Sequence, residues 1–238
     1  AQGVRCWGYN AYGELGDGTR INRPEPPVSD VQVQGTASAV AVGRLHSCAL
    51  TTAGGVRCWG YNGSGQLGDA TQTSRAAPDT TDVVTNARAV VSKEYFSCAV
   101  LSDGTAQCWG DNVGGQLGNG TTAFATVPTL VSTLTNVSAV ALGAVHACAL
   151  LNNGSVRCWG YNEYGELGDG RGVSTTTPST NDILTNVAAI AAGSDHTCAL
   201  MQSGGVRCWG YNYYGQLGDG TFTDRLSAPQ QDVLTEVQ

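Results

Sequence analysis

Nine cysteines are the residues of this 238-residue chain best able to do chemistry, as redox partners, nucleophiles or metal ligands. Eight of them fall in four pairs, each ten positions apart: Cys48 with Cys58, Cys98 with Cys108, Cys148 with Cys158, and Cys198 with Cys208. Protein metal sites gather Cys-x-x-Cys or Cys/His groups, which isolated pairs at this separation do not supply. In a hairpin whose turn centres on Ala53, Cys48 opposes Cys58, and Leu50 opposes Val56 on the same face. Directly opposed Cβ atoms lie about 4.5–5.5 Å apart, a small adjustment from the roughly 3.5–4.5 Å that a disulfide spans. The pairs are therefore expected to be disulfides, each stabilising by roughly 3 kcal/mol through chain entropy. Four such bridges imply an oxidising compartment, so the protein is expected to be secreted or at a cell surface. Cys6 has no counterpart ten positions upstream, which makes it the candidate for an intermolecular disulfide.

The remaining reactive side chains read as framework. His46, His146 and His196 share one position in a repeat, where a third copy has Phe96. An aromatic ring that substitutes for them points to packing or a backbone hydrogen bond rather than acid–base work. Asp17, Asp69, Asp169 and Asp219, with Asn119 as the fifth, sit in Gly-Asp-Gly-Thr or close variants. Asx turns account for them, because a short carboxylate or amide bonds the backbone two residues on and Gly supplies a positive φ; a calcium loop would need further oxygen ligands at alternating positions. No nucleophile elbow, zinc-protease helix or phosphate loop is present, and Lys93 is the only lysine. The expectation is a non-enzyme with no catalytic residues, no metal and no cofactor.

These groups are positioned by a repeat. Cys-Trp-Gly begins at Cys6, Cys58, Cys108, Cys158 and Cys208, with spacings of 52, 50, 50 and 50, and uses all five tryptophans. A period near 50 falls in the range of propeller blades. Val137 to Leu142, His146 to Leu150 and Ser155 to Trp159 alternate with period two and are separated by Gly143 and the Asn152-Asn153-Gly154 turn. Helical spacing is absent. Leu130 to Leu134, just after Pro128, suits an outer edge strand. The predicted fold is all-β, a β-propeller of four-stranded blades in one domain, 1–238, with units near 1–38, 39–88, 89–138, 139–188 and 189–238. The segment equivalent to 189–202 has no counterpart ahead of residue 1, so one strand is expected to be missing at the chain ends.

Charged residues are only 13% of the chain and the formal charge is −7, opposite in sign to what phosphate backbones attract, which argues against a nucleic-acid partner. No apolar run approaches the roughly 18–20 residues of a membrane span, so no membrane insertion is expected.

Around Cys58 the unit carries Gly43, His46, Leu50, Gly55, Trp59, Gly60, Asn62, Gly65, Gln66, Leu67, Gly68 and Asp69. Over essentially the whole chain this pattern resembles the repeat of the regulator of chromosome condensation family, and the cysteines make it similar to a secreted, disulfide-containing type. The resemblance implies a propeller of four-stranded blades. The family's exchange-factor and chromatin roles depend on a basic tail that this acidic chain lacks, and they are not carried over.

What differs between units is where a partner is read. One variable stretch precedes the His position and includes Arg44, Leu45, Lys93, Glu94 and Tyr95; another follows Tyr-Asn and includes Tyr12, Tyr164, Tyr213 and Tyr214. Equivalent loops gather at one end of a propeller, and Tyr offers large contact area at low rotamer cost. The leading expectation is an extracellular interaction scaffold that binds a protein through these loops. The alternatives are a structural subunit that self-assembles by strand exchange or through Cys6, and a carbohydrate-binding module that takes a glycan on the tyrosines. Glycosylation sequons stand at Asn62, Asn119, Asn136 and Asn153, the first two inside the repeated turn.

Overall fold

The computed structural model describes residues 3–235. They form two compact units, Ala1–Asp111 with Phe124–Thr129, and Asn112–Ala123 with Leu130–Gln238. All regular structure among the described residues is strand. The first unit holds a sheet of β1 (Ala37–Val42), β2 (His46–Thr51) and β3 (Val56–Gly60), and a sheet of β4 (Ala87–Lys93), β5 (Phe96–Leu101), β6 (Ala106–Gly110) and β7 (Ala125–Leu130), each in sequence order. The second holds β8 (Val137–Leu142), β9 (His146–Leu151) and β10 (Val156–Gly160), then β11 (Val187–Ala192), β12 (His196–Met201) and β13 (Val206–Gly210), again in order. The pairings within β1–β3, β4–β6, β8–β10 and β11–β13 are antiparallel.

The hairpin register is the one the cysteine spacing predicts: Cys48 faces Cys58 and Leu50 faces Val56, with the same offset at Cys98, Cys148 and Cys198. Thr51 N–H bonds the Gly55 carbonyl. Counting back by alternation puts Cys48 and Cys58 in a narrow, non-hydrogen-bonded pair, where side chains come closest. All four bridges are formed, with Cα atoms 4.0–4.1 Å apart. They belong to the core: Cys48–Cys58 lies in one buried cluster with Leu50, Val56, Val84, Val90 and Trp109, and Cys148–Cys158 in another with Leu150, Leu184, Met201 and Trp209.

The blades depart from the expected four full strands. Among the described residues only the sheet ending in β7 has a fourth. In the others an outer arm touches the third strand at two isolated bridges, Val56 with Val84 and Gly60 with Arg75 in the first case, Val156 with Leu184 and Gly160 with Thr175, and Val206 with Leu234 and Gly210 with Arg225. The arm has more residues between its bridges than the strand does, so the surplus arches out around Pro78, Pro178 or Pro229, none of which has an N–H to give to a ladder. The fourth strand that does form is Ala125–Leu130 with Pro128 inside it, not the segment from Leu130 to Leu134. Val131 and Leu134 are buried instead.

Repeats are fastened by tryptophan. The indole N–H of Trp59 donates to the Glu14 carbonyl, Trp109 to Gln66, Trp159 to Gln116 and Trp209 to Glu166, all at 2.8–2.9 Å, and each ring is fully buried. The acceptor always belongs to the preceding repeat. Two residues beyond it a glycine lies flat on the indole: a Cβ on Gly68 would stand 2.9 Å from Trp109 Cδ1 and Nε1. Gly68 also has φ +73°, whereas Gly218, at φ +67°, would place its Cβ in open space. Gly218→Ala is therefore expected to cost only backbone strain, about 1–2 kcal/mol, and Gly68→Ala about 3 kcal/mol or more, compared by denaturant unfolding of the two variants.

Candidate functional site

The residues common to all repeats build the base of the loops. Asn62, fully buried, donates through Nδ2 to Asp69 Oδ1 and to the Thr71 carbonyl and hydroxyl, while its Oδ1 accepts from Leu67 N–H. Asp69 accepts from both the backbone and hydroxyl of Thr71 and pairs with Arg75 at 2.7 Å. The arrangement recurs around Asn10, Asn112 and Asn212, with Asn119 in the aspartate's place in the third repeat. These are the expected Asx turns. Burial alone would raise the carboxyl of Asp17, but bonds from Thr19 and Arg23 hold it at about 2. The sequon at Asn62 is closed to glycosylation in the folded chain, since its amide is spent on the loop.

The histidines are framework too. His46 is fully buried and its Nε2 lies 2.8 Å from Ser97 Oγ on the next sheet, as His146 Nε2 lies 2.9 Å from Thr197 Oγ1. Burial pulls His46 down to about 4. The folded state thus keeps a neutral ring while the unfolded chain gains a proton below about 6.5, so acid costs stability between those values. Gly43 makes room for this ring, because a Cβ there would sit 2.2 Å from His46 Cε1, and Gly143 and Gly193 do the same for His146 and His196. The repeat that has Phe96 instead has Lys93 instead of the glycine. The singular lysine thus follows from a changed core ring.

The variable positions converge within each unit. In the first, Tyr12, Tyr61 and Tyr95 form an edge-to-face chain with centroids 4.9 and 6.0 Å apart. Arg44 lies over the Tyr95 ring, 5.7 Å from its centroid, and 3.5 Å from Glu94 Oε2. The Leu45 carbonyl accepts from Tyr61 N–H. Lys93 ends β4 and Glu94 takes φ +40° in the turn beyond it. In the second unit Tyr161, Tyr164, Tyr211, Tyr213 and Tyr214 are linked by contacts of 4.8 to 6.4 Å. Tyr213 and Tyr214 are 65% and 78% exposed, which leaves their faces open to a ligand.

Tyr61, Tyr161 and Tyr211 are the members that sequence reasoning missed. They belong to the recurring Tyr-Asn step and so read as framework. The available signal was Asp111, which breaks the pattern in the third repeat. Of the acids beside the second cluster, Glu163 and Asp195 fall at the variable positions and Asp224 was missed: Glu163 accepts the Tyr161 hydroxyl at 2.6 Å, the Asp195 carbonyl accepts Tyr211 N–H, and Asp224 Oδ1 accepts Asn212 N–H at 2.7 Å. Among the described residues, no group of three or more His, Cys, Asp or Glu is arranged to hold a metal ion.

Sheets stapled by disulfides, fastened by indoles and carrying their variable side chains on loops define a repeat-built β-propeller. A family model described as RCC1-like domain matches residues 2–238, and the chain belongs to that family. It is similar to human WBSCR16, at 27% identity and TM-score 0.84 over 96% of this chain and 62% of that one. It also shares the fold of Prp20p from Saccharomyces cerevisiae, at 24% identity and TM-score 0.80 over 96% of this chain and 59% of that one. Among curated relatives, the probable E3 ubiquitin-protein ligase HERC4 of Homo sapiens is 39% identical over 80 residues, which is 33% of this chain and 8% of that protein. The chain thus spans a small part of that ligase and less than two thirds of either solved chain.

Glu14 and Glu166 hold the place of Gln66, Gln116 and Gln216, each with Oε1 buried and without a partner. The Oε2 of Glu166 accepts from Tyr164 N–H. Burial, with the charges of Asp195 and Asp224 adding to it, raises its carboxyl to about 7. The unfolded chain releases this proton from about 4.5 and the folded one holds it until about 7, so stability falls as pH rises through that window. Glu166→Gln is expected to stabilise by on the order of 1–2 kcal/mol at about pH 8 and by little below about pH 4.5, read from thermal unfolding as a function of pH.

Proposed function

We propose that this chain is a non-enzymatic interaction module of an oxidising compartment, secreted or at a cell surface, which binds a protein through its tyrosine-bearing loops. The observation that carries the reading is the gathering of variable positions into aromatic clusters on loops whose bases are pinned by buried Asn and Asp. Tyr12, Tyr95, Tyr164, Tyr213 and Tyr214, with Arg44 and Glu94, are the contact residues, and Tyr61 and Tyr211 join them. A rigid base with exposed aromatic tips loses little entropy on binding. The four disulfides support an oxidising compartment. Binding of proteins is in keeping with Prp20p, described as binding Gsp1p and histones.

A second reading, self-assembly, is favoured by one feature. Val4 to Gly8 takes the part of β3 in the first repeat, bridged to Val31 and Arg23 on its outer side. Its inner side borders a groove of ≈ 610 Å³ lined by Cys6, Trp7, Val40, Val42 and His46 among others. A strand laid there from another chain would meet Cys6 as Cys48 meets Cys58. Burial, with Asp17 adding to it, pushes the Cys6 thiol up, which slows its attack on a disulfide.

Freshly isolated protein is expected to keep all eight paired cysteines from alkylation until it is reduced. A Tyr213→Ala/Tyr214→Ala variant with the same thiol protection is expected to lose at least tenfold in capture of its protein partner from secreted material. Equal capture by both forms would refute the loop face. In non-reducing electrophoresis, a disulfide-linked dimer abolished by Cys6→Ser would favour self-assembly instead.

A further inference from the structure

The two tyrosine clusters differ in one respect. In the first unit the cluster carries its own cation: the Arg44 guanidinium lies over Tyr95 and against Glu94. The second unit has a larger cluster and a more negative balance, with nine acidic residues against four arginines in its sequence where the first has ten against eight Lys and Arg. Each of those arginines is ion-paired with another group: Arg157 with Asp182, Arg171 with Asp169, Arg207 with Asp232 and Arg225 with Asp219. Glu163, Glu166 and Asp224 instead border the tyrosines, through the Tyr161 hydroxyl, Tyr164 N–H and the amide next to Tyr211.

We infer that the face formed by Tyr164, Tyr211, Tyr213 and Tyr214, with Glu163 and Asp224 beside it, seats an arginine side chain presented by a protein partner. The inference rests on the protein-binding reading above and names the chemistry of that partner. Aromatic faces attract a guanidinium through the ring quadrupole and carboxylates complete its hydrogen bonding. The first unit makes this pairing within its own chain, between Arg44, Tyr95 and Glu94. In the second, Tyr213 and Tyr211 are stacked at an interplanar angle of 17° and Tyr214 stands edge-on to Tyr213 at 89°, so ring faces of two orientations are presented to one ligand. Nearby carboxylates add a potential of the matching sign, Glu163 and Glu166 at Tyr161 and Asp224 at Tyr211. The Glu163 bond pushes the Tyr161 hydroxyl well above the usual phenol range, and desolvation, with Tyr214, Tyr164 and Asp224, raises that of Tyr211. A planar guanidinium stacks on such rings better than a compact ammonium does.

The test is a titration of the full chain with a Gly-Arg repeat peptide, followed through the tyrosine ring signals by NMR, with Gly-Lys and Gly-Glu peptides in parallel. The expected result is saturable binding of the arginine peptide, weaker binding of the lysine peptide and none of the glutamate peptide. The affinity is expected to fall at least tenfold in Tyr213→Ala/Tyr214→Ala, and severalfold in Glu163→Gln/Asp224→Asn and at high salt. No saturable binding of the arginine peptide, equal binding of the glutamate peptide, or unchanged affinity in the tyrosine variant would overturn the inference. If the double tyrosine variant loses a protein partner whose binding is insensitive to both salt and Glu163→Gln/Asp224→Asn, the docking face stands and the arginine seat falls. If capture of the protein is also unaffected by the tyrosine variant, the docking face falls as well.

Discussion

A single buried bond recurs as the joint between repeats: the indole N–H of Trp59, Trp109, Trp159 and Trp209 given to a main-chain carbonyl of the repeat before it. Burying an indole without a partner for its N–H would be costly, so the acceptor has to be held in place. That requirement shapes the whole loop. Glu or Gln supplies the carbonyl and folds its side chain back to the backbone two residues earlier, and the next glycine presents a bare face to the ring. The leucine between them, Leu67 in one copy, fills the core, and the buried Asn fixes its amide. The disulfide completes the module from the other side, since it lies in the same apolar cluster as the next repeat's tryptophan.

Because the loop base is fixed by these bonds, its tip is left to vary. Tyr61 and Tyr211 come immediately before the anchoring Asn, and Tyr12, Tyr164 and Tyr214 shortly after it. Their rings therefore project from backbone that is hydrogen-bonded on both sides. Low charge density elsewhere makes the acids around the second cluster conspicuous, and burial of Glu166 is eased because its raised pKa keeps it protonated at mildly acidic pH.

Much of this was legible in the chain. The constant interval between paired cysteines fixes the hairpin register, since only one alignment lets every pair face, and the Gly-Asp-Gly-Thr turns behave as their local chemistry requires. The outer strand was not legible, because proline and surplus residues convert it to an arch, and counting residues does not distinguish a strand from an arch that bridges at its two ends. Lys93 stands where the histidine-bearing repeats have glycine, in the copy with Phe96: with no histidine ring to clear, the glycine is dispensable. Tyr61 and Tyr211 were hidden by recurrence. Identity between repeats argues for a structural role only when the residue is buried, and sequence alone does not give burial.

The indole bond is most directly tested by hydrogen exchange at the five tryptophan Nε1 positions, followed by NMR in the native protein. Trp59, Trp109, Trp159 and Trp209 should exchange slowly, at rates set by opening of the sheets, while Trp7, which is 57% exposed, should exchange fast. Exchange of the four as fast as that of Trp7 would show that the repeats are not fastened in this way.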